Sequence, residues 1–182
     1  FFGKTGRHGC LLKSTLQRRL TSIGLGMTAH ILVTGGAGFI GSHLCSRLLT
    51  AGHQVTCLDN FDDFYSPLLK HRNVQHLVEL ANPSGRFVCH HHDIRDYTWM
   101  QGLFQETPID GVIHLAALAG VRPSIARPLD YNTVNIQGTL NVLECCRQFQ
   151  VRQVIFGSSS SVYGARQQGP FTERDDVGKP ES

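Results

Sequence analysis

Nowhere in the 182 residues do about 18 apolar residues run uninterrupted, so a membrane-spanning helix is excluded. No Cys-x-x-Cys pair occurs among the six cysteines (Cys10, Cys45, Cys57, Cys89, Cys145, Cys146), and most of them sit inside apolar runs. That usage suits reduced core thiols in a reducing cytoplasm better than disulfides or zinc. Acids are missing altogether from residues 1–26, which hold five of the 17 lysines and arginines. The rest of the chain then carries 12 basic against 14 acidic side chains, and the overall charge of +3 makes no electrostatic case for nucleic acid. With no repeat at a period of about 20–50 residues, a solenoid is not indicated either.

What is present, 41% apolar and 17% charged residues, is the composition of one globular domain. Residues 1–26 show no clear apolar periodicity; they are read as leader or extraneous sequence, or the end of an organelle-targeting peptide, with Met27 a candidate start and the domain spanning 27–182. Gly3-Lys4-Thr5 matches the end of a P-loop but lacks the upstream glycine and preceding strand.

From position 29 strands and helices alternate. Ala29–Thr34 reads as a buried parallel strand, and Gln54–Leu58, Arg86–His90, Val112–Leu115 and Val151–Phe156 as four further strands. Helices are expected from Phe39 to Ala51, closed by Gly52, and over 133–149, a well-buried helix with Ile136, Leu140 and Leu143 on one face and Val142, Cys146 and Phe149 beside it. The stretch Leu68–Leu80 is a further candidate. This alternation predicts an α/β fold, a doubly wound and mostly parallel sheet with helices on both faces and a ligand beyond the strands' carboxyl ends.

The first strand-to-helix turn, Thr34-Gly35-Gly36-Ala37-Gly38-Phe39-Ile40-Gly41, carries glycines at 35, 38 and 41. Gly35 permits the tight turn, Gly38 lets backbone approach a pyrophosphate, and Gly41 lets the helix lie near the sheet, while amides at Phe39 and Ile40 open the helix toward the anion. No lysine follows, which disfavours a nucleoside-triphosphate loop. Asp59, 18 residues after Gly41, is placed to accept both ribose hydroxyls of an adenosine and to repel a 2′-phosphate, favouring NAD over NADP; its other reading is a turn cap. Asp93 reaches toward adenine or serves as a turn residue. A metal site on Cys89-His90-His91-His92-Asp93 has no second ligand cluster to complete it.

Together with Asp59-Asn60, Asp93-Ile94-Arg95-Asp96, His114-Leu115-Ala116-Ala117, Asn135-Ile136-Gln137-Gly138-Thr139 and Ser158-Ser159-Ser160-Ser161-Val162-Tyr163-Gly164, the glycine turn resembles the extended short-chain dehydrogenase/reductases, in their nucleotide-sugar epimerase and dehydratase branch. The stretch Ala119–Ser124 with Pro128 and Tyr131 is most similar to UDP-glucuronate 4-epimerases. The resemblance implies a Rossmann-like fold, NAD as a retained hydride acceptor, and a UDP-sugar substrate such as UDP-glucuronate or UDP-galacturonate. It also implies epimerisation by transient C4 oxidation, and a full-length homodimer without membrane or nucleic-acid partners. It assigns Leu115, Ala116, Ala117 and Ser158 to the cofactor, Asn135 to support of the site, and Ser159 to the reacting sugar oxygen. Without the resemblance, the serine run is equally a polar strand end. Arg122 pairs with a substrate carboxylate or phosphate, or is an exposed loop arginine.

The family's base, a tyrosine four residues before a lysine, is matched by none of Tyr65, Tyr97, Tyr131 and Tyr163. The expectation is therefore an NAD-binding portion truncated before the last strands and the substrate lobe, inactive alone. Alternatives are a nucleotide-sugar dehydratase or decarboxylase, and a non-catalytic NAD-binding module.

Overall fold

The computed structural model describes residues 28–82, 84–164, 170–175 and 177. The leader reading, the Met27 start, Cys10 and Gly3-Lys4-Thr5 lie outside the described residues.

Five parallel strands form one sheet in the order β3-β2-β1-β4-β5: β1 His30–Thr34, β2 Gln54–Asp59, β3 Phe87–His91, β4 Gly111–His114 and β5 Gln153–Phe156. Connecting them are α1 (Phe39–Thr50), α2 (Pro67–Ala81), α3 (Tyr97–Glu106), two short helices, α4 (Val121–Ala126) and α5 (Pro128–Tyr131), and α6 (Thr139–Gln148). A wide π turn, Asn132–Gly138, leads into α6, and a 3₁₀ turn, Ser160–Tyr163, follows β5. The order reverses at β1, whose neighbours β2 and β4 send their chains to opposite faces, and that reversal opens the crevice in which doubly wound sheets hold ligands.

Strand periodicity of two builds the two cores. Ile31, Val33, Val55, Cys57 and Ile113 face Cys45, Leu48 and Leu77 of α1 and α2 on one side. Their alternates Leu32, Leu58 and Val112 face Met100, Leu103 and Phe104 of α3 and Val142, Cys145 and Cys146 of α6 on the other. β1 is buried along its whole length, as the central strand of a covered parallel sheet must be. The described cysteines are free thiols. Cys57 is held protonated by its bond to Cys45 and by burial, and burial pushes Cys145 and Cys146 up to about 11, so these are inert core groups.

One expectation is corrected. The helix face marked by Ile136, Leu140 and Leu143 is exposed, by 44–56%, and α6 instead buries Asn141, Val142, Cys145 and Cys146. Leu140 and Leu143 lie on one face of α6 and Val142, Cys145 and Cys146 on another, and it is the second face that packs on the sheet. Between β3 and β4 the chain forms α3, which is started by the Asp96 side chain accepting from the Trp99 amide and buries Met100, Leu103 and Phe104 at helical spacing. On the sheet's far side, β5 pairs with β4 and exposes Val154, Ile155 and Phe156.

Candidate functional site

Parallel strands deliver their carboxyl-terminal loops to one edge, and the glycine turn lies there after β1. Gly35 has φ +68°, and a Cβ at that position would stand 2.8 Å from the Ala116 amide nitrogen. At Gly41 a Cβ would run into the Gly35 carbonyl, and at Gly36 it would lie 2.6 Å from the Cys57 sulfur. The loop is therefore folded tightly against β2 and the loop after β4, and only backbone fits. Gly38 differs, because a Cβ there would meet nothing closer than the Gly35 oxygen at 3.3 Å. The amides at the start of α1 lack intrahelical acceptors, and no acidic side chain occupies the first turn. Phe39 and Ile40 project into solvent there, 80% and 68% exposed. A cradle of free amides at the positive end of a 12-residue helix, closed by backbone that tolerates no side chain, fits a pyrophosphate.

Asp59, the last residue of β2, is 5% exposed. Its Oδ2 accepts the Ala37 amide at 3.1 Å, and its Oδ1 accepts the Phe61 amide at 2.9 Å and the Lys70 ammonium at 3.1 Å. From the same helix as Lys70, Asn73 donates to the Ala37 carbonyl at 2.9 Å, so Ala37 is gripped at both its amide and its carbonyl. Sequence reasoning missed both α2 residues. They stand 11 and 14 positions beyond Asp59, and nothing short of the folded connection reveals that α2 returns to the glycine turn.

After β3, Asp93 accepts the Arg95 amide and Nε on Oδ1, and the Arg95 Nη2 and Asn60 Nδ2 on Oδ2. Burial raises the Asp93 pKa, but the Arg95 guanidinium and amide and the Asn60 amide outweigh it and hold the carboxyl at about 2. The turn Asp59-Asn60 and the turn Asp93-Ile94 are thereby joined. Ile94 is buried, its side chain lying where a Cβ at Gly138 would be and its carbonyl accepting from Asn141. The histidines at and just after the end of β3 go elsewhere: His92 stacks on Trp99 at 4.1 Å and pairs with Asp96, and His90 meets the Trp99 edge. Among the described residues no group of three or more His, Cys, Asp or Glu side chains converges to hold a metal.

At the end of β4 a directional chain of hydrogen bonds is built on His114, 2% exposed. The Thr139 hydroxyl donates to the Asn135 carbonyl at 2.7 Å, so its oxygen accepts from His114 Nε2–H at 2.9 Å. That assignment leaves Nδ1 to accept from the Thr34 hydroxyl at 2.6 Å. The Thr34 oxygen in turn accepts the Leu115 and Ala116 amides, each at 3.2 Å. Burial lowers the ring's pKa to about 4, in keeping with a neutral imidazole. Asn135, in the π turn, clamps the next loop with both amide atoms, accepting from Leu118 N–H at 2.8 Å and donating to Leu118 C=O at 2.9 Å. Leu115 and Ala116 are thus fixed against Gly35, with Ala117 exposed beside them.

After β5, Ser158 and Ser159 are exposed, and Ser159 Oγ accepts the Ser161 amide at 3.2 Å. Arg122 lies on α4, exposed. Of the residues singled out in the sequence, Gly35, Gly38, Phe39, Ile40, Gly41, Asp59, Asn60, Asp93, Ile94, Leu115, Ala116 and Ala117 gather around the ends of β1 to β4. Ser158 and Ser159 stand at the end of β5 with Asn135 behind the β4 loop.

A doubly wound parallel sheet with a glycine cradle after β1 and a buried carboxylate at the end of β2 defines the dinucleotide-binding class of α/β domain. A sequence model of the family described as GDP-mannose 4,6 dehydratase matches residues 32–182. The chain is 40% identical over 151 residues to a UDP-glucose 4-epimerase of Caenorhabditis elegans, covering 82% of this chain and 43% of the relative. It is 43% identical over 153 residues to UDP-glucuronate 4-epimerase 3 of Arabidopsis thaliana, covering 84% and 34%. Among solved structures, a UDP-glucuronic acid 4-epimerase variant from Bacillus cereus, in complex with UDP-4-deoxy-4-fluoro-glucuronic acid and NAD, superposes with a TM-score of 0.71 at 40% identity, covering 83% of this chain and 46% of that one. The UDP-glucose 4-epimerase of Bifidobacterium longum in complex with NAD+ and UDP gives a TM-score of 0.71 at 37% identity, covering 82% and 42%. The chain therefore belongs to the nucleotide-sugar epimerase and dehydratase family of extended short-chain dehydrogenase/reductases. It spans less than half the length of the curated relatives it matches.

Proposed function

We propose that the chain is the NAD-binding portion of a nucleotide-sugar 4-epimerase acting on UDP-glucuronate or UDP-galacturonate. The observation that carries this reading is the closed glycine cradle beside the buried Asp59, a backbone-lined anion site with a carboxylate where an adenosine ribose would sit. The amides of Phe39 and Ile40 hold the pyrophosphate, Asp59 takes a ribose hydroxyl, and Asn60 and Asp93 shape the adenine side. Leu115, Ala116 and Ala117 border the nicotinamide half, held in place through Thr34 and Asn135.

NAD, when bound, supplies a reversible hydride acceptor opposite the sugar C4. Ser158 lies beside the nicotinamide and Ser159 hydrogen-bonds the reacting C4 oxygen, where a hydroxyl that both donates and accepts follows the change from alcohol to ketone. Arg122 faces the substrate's anionic groups. The proton from the C4 hydroxyl needs a base, and since no tyrosine among the 182 residues is followed by a lysine at the fourth position, these residues alone bind cofactor without turnover. Exposed Ile136, Leu140 and Leu143 support pairing of the full-length protein through this helix face.

Isothermal titration of the purified chain with NAD tests the reading, which expects saturable binding at one site; no binding would sink it. Incubation with NAD and UDP-glucuronate is expected to yield no UDP-galacturonate. A dehydratase is the second reading, favoured by the description of the matching family model. Product of the full-length enzyme separates the two by mass, because epimerisation leaves it unchanged and dehydration removes one water.

A further inference from the structure

Two histidines are buried at the amino-terminal edge of the sheet, opposite the glycine turn, and their partners make them answer a proton differently. His53 closes the turn between α1 and β2, its amide donating to the Leu48 carbonyl at 3.0 Å. Its Nδ1 accepts the amide of Ala29, the residue before β1, at 3.2 Å. A backbone N–H can only donate, so Nδ1 carries the lone pair and the neutral ring carries its proton on Nε2. The Ala29 carbonyl accepts the Gln54 amide at 2.9 Å, so His53 and Gln54 together grip Ala29 at both of its backbone groups. Ala29 is buried, and a buried amide that loses its acceptor has no water to replace it.

His30 has a partner that adapts. Its Nε2 lies 2.8 Å from the Thr56 hydroxyl, which can either donate or accept. Burial lowers the His30 pKa, but Asp110, whose Oδ2 accepts the His30 amide at 2.7 Å, works in the other direction. At His53 the neighbouring charge is a cation. A Cβ at Gly52, the residue before it, would lie 3.6 Å from Arg86 Nη1, and burial together with that guanidinium lowers the His53 pKa. The other ionisable side chains at this end of the elements packed on the turn are His30 and Arg47, the latter exposed in the last turn of α1.

We infer that His53 is an acid-released latch on the start of β1: the neutral ring holds the Ala29 amide, and a proton added at Nδ1 sets two donors against each other and frees the junction where residues 1–28 meet the sheet. The proton comes from solvent and one hydrogen bond is given up, so the release is reversible. The latch is independent of the cofactor reading, because it lies at the opposite edge of the sheet from the glycine turn.

Amide hydrogen exchange of the full chain by NMR at pH 7 and pH 5, corrected for the intrinsic rate at each pH, tests the latch in the wild type, His53→Asn and His53→Leu. The opened ring titrates at about 6.5 and the closed ring lower, so protection of the wild-type Ala29 amide is expected to fall by about tenfold between the two conditions, and that of Val33 inside β1 by less. His53→Asn, whose side-chain carbonyl accepts at either pH, is expected to keep Ala29 protected in both, and His53→Leu in neither. Constant Ala29 protection in the wild type, or an equal fall in His53→Asn, overturns the latch. A parallel fall at Ala29 and Val33 also overturns it, since the whole strand is then opening. Should a variant not fold, as judged by its thermal transition, the wild-type exchange and the nitrogen shifts of His53 decide: a proton on Nε2 at pH 7 supports the latch and a proton on Nδ1 overturns it.

Discussion

The Thr34 hydroxyl lies 2.6 Å from His114 Nδ1, and through this one contact the end of β1 is tied to the end of β4 and, by way of Thr139, to the π turn that carries Asn135. Each member has a single consistent direction of donation, which requires the imidazole to stay neutral.

Acid should break this chain. With the His114 pKa lowered from 6.5 to about 4 by burial, the unfolded chain binds a proton that the folded chain refuses between those values, so stability falls as pH drops from about 6.5 to about 4 and levels off below. The loss is on the order of 3 kcal/mol. Urea unfolding of the wild type and His114→Gln at pH 7 and pH 4 measures it: the wild type's advantage should shrink by that order, and a constant difference would show that the ring does not control the acid limb.

Adding one methyl group at Gly41 should cost more than its size suggests. The Cβ of Gly41→Ala would press on the Gly35 carbonyl, itself held by a left-handed turn, so neither partner can move cheaply. We expect a loss of about 1–3 kcal/mol in chemical denaturation together with the loss of NAD binding. Gly38→Ala, with its nearest neighbour at 3.3 Å, should be the milder change in stability.

Removing the Asp59 carboxylate leaves the Lys70 ammonium buried without its partner. Asp59→Ala is expected to destabilise by about 3–5 kcal/mol, the range for breaking one side of a buried pair. The double variant Asp59→Ala, Lys70→Met should recover much of that stability without recovering NAD affinity, as read by melting curves and calorimetry in parallel.

Asn135→Ala deletes both bonds to Leu118, one accepted and one donated. The predicted result is faster hydrogen exchange at the Leu118 amide by at least about tenfold, with little change in the β1 amides, and weaker cofactor binding through the loosened 115–118 loop. Unchanged exchange at Leu118 would mean that the loop is held by other contacts.

The sequence by itself determined the class of fold and the chemistry of the cradle. Apolar runs of four to six residues, punctuated by glycines and alternating with helical spacing, admit little besides a covered parallel sheet, and the glycines at 35 and 41 are needed because backbone alone fits there. Asp59 and Asp93 were also visible, each standing just past the end of an apolar run. Tertiary structure decided which groups those carboxylates meet. Lys70 reaches Asp59 and Asn73 reaches the glycine turn only because α2 crosses back over them, and Asn60 joins the local Arg95 contacts on Asp93 only because the turns after β2 and β3 lie side by side. It likewise decided which face of the helix after position 132 is buried. The 3.6-residue period offers Ile136, Leu140 and Leu143 on one face with Val142 and Cys146 beside it, and packing leaves the first three exposed while Val142, Cys145 and Cys146 meet the sheet. Local periodicity specifies an element's type, whereas the partners of a buried charge and the register of a helix on a sheet depend on contacts between residues far apart in the chain, and these exist only once the layers have packed.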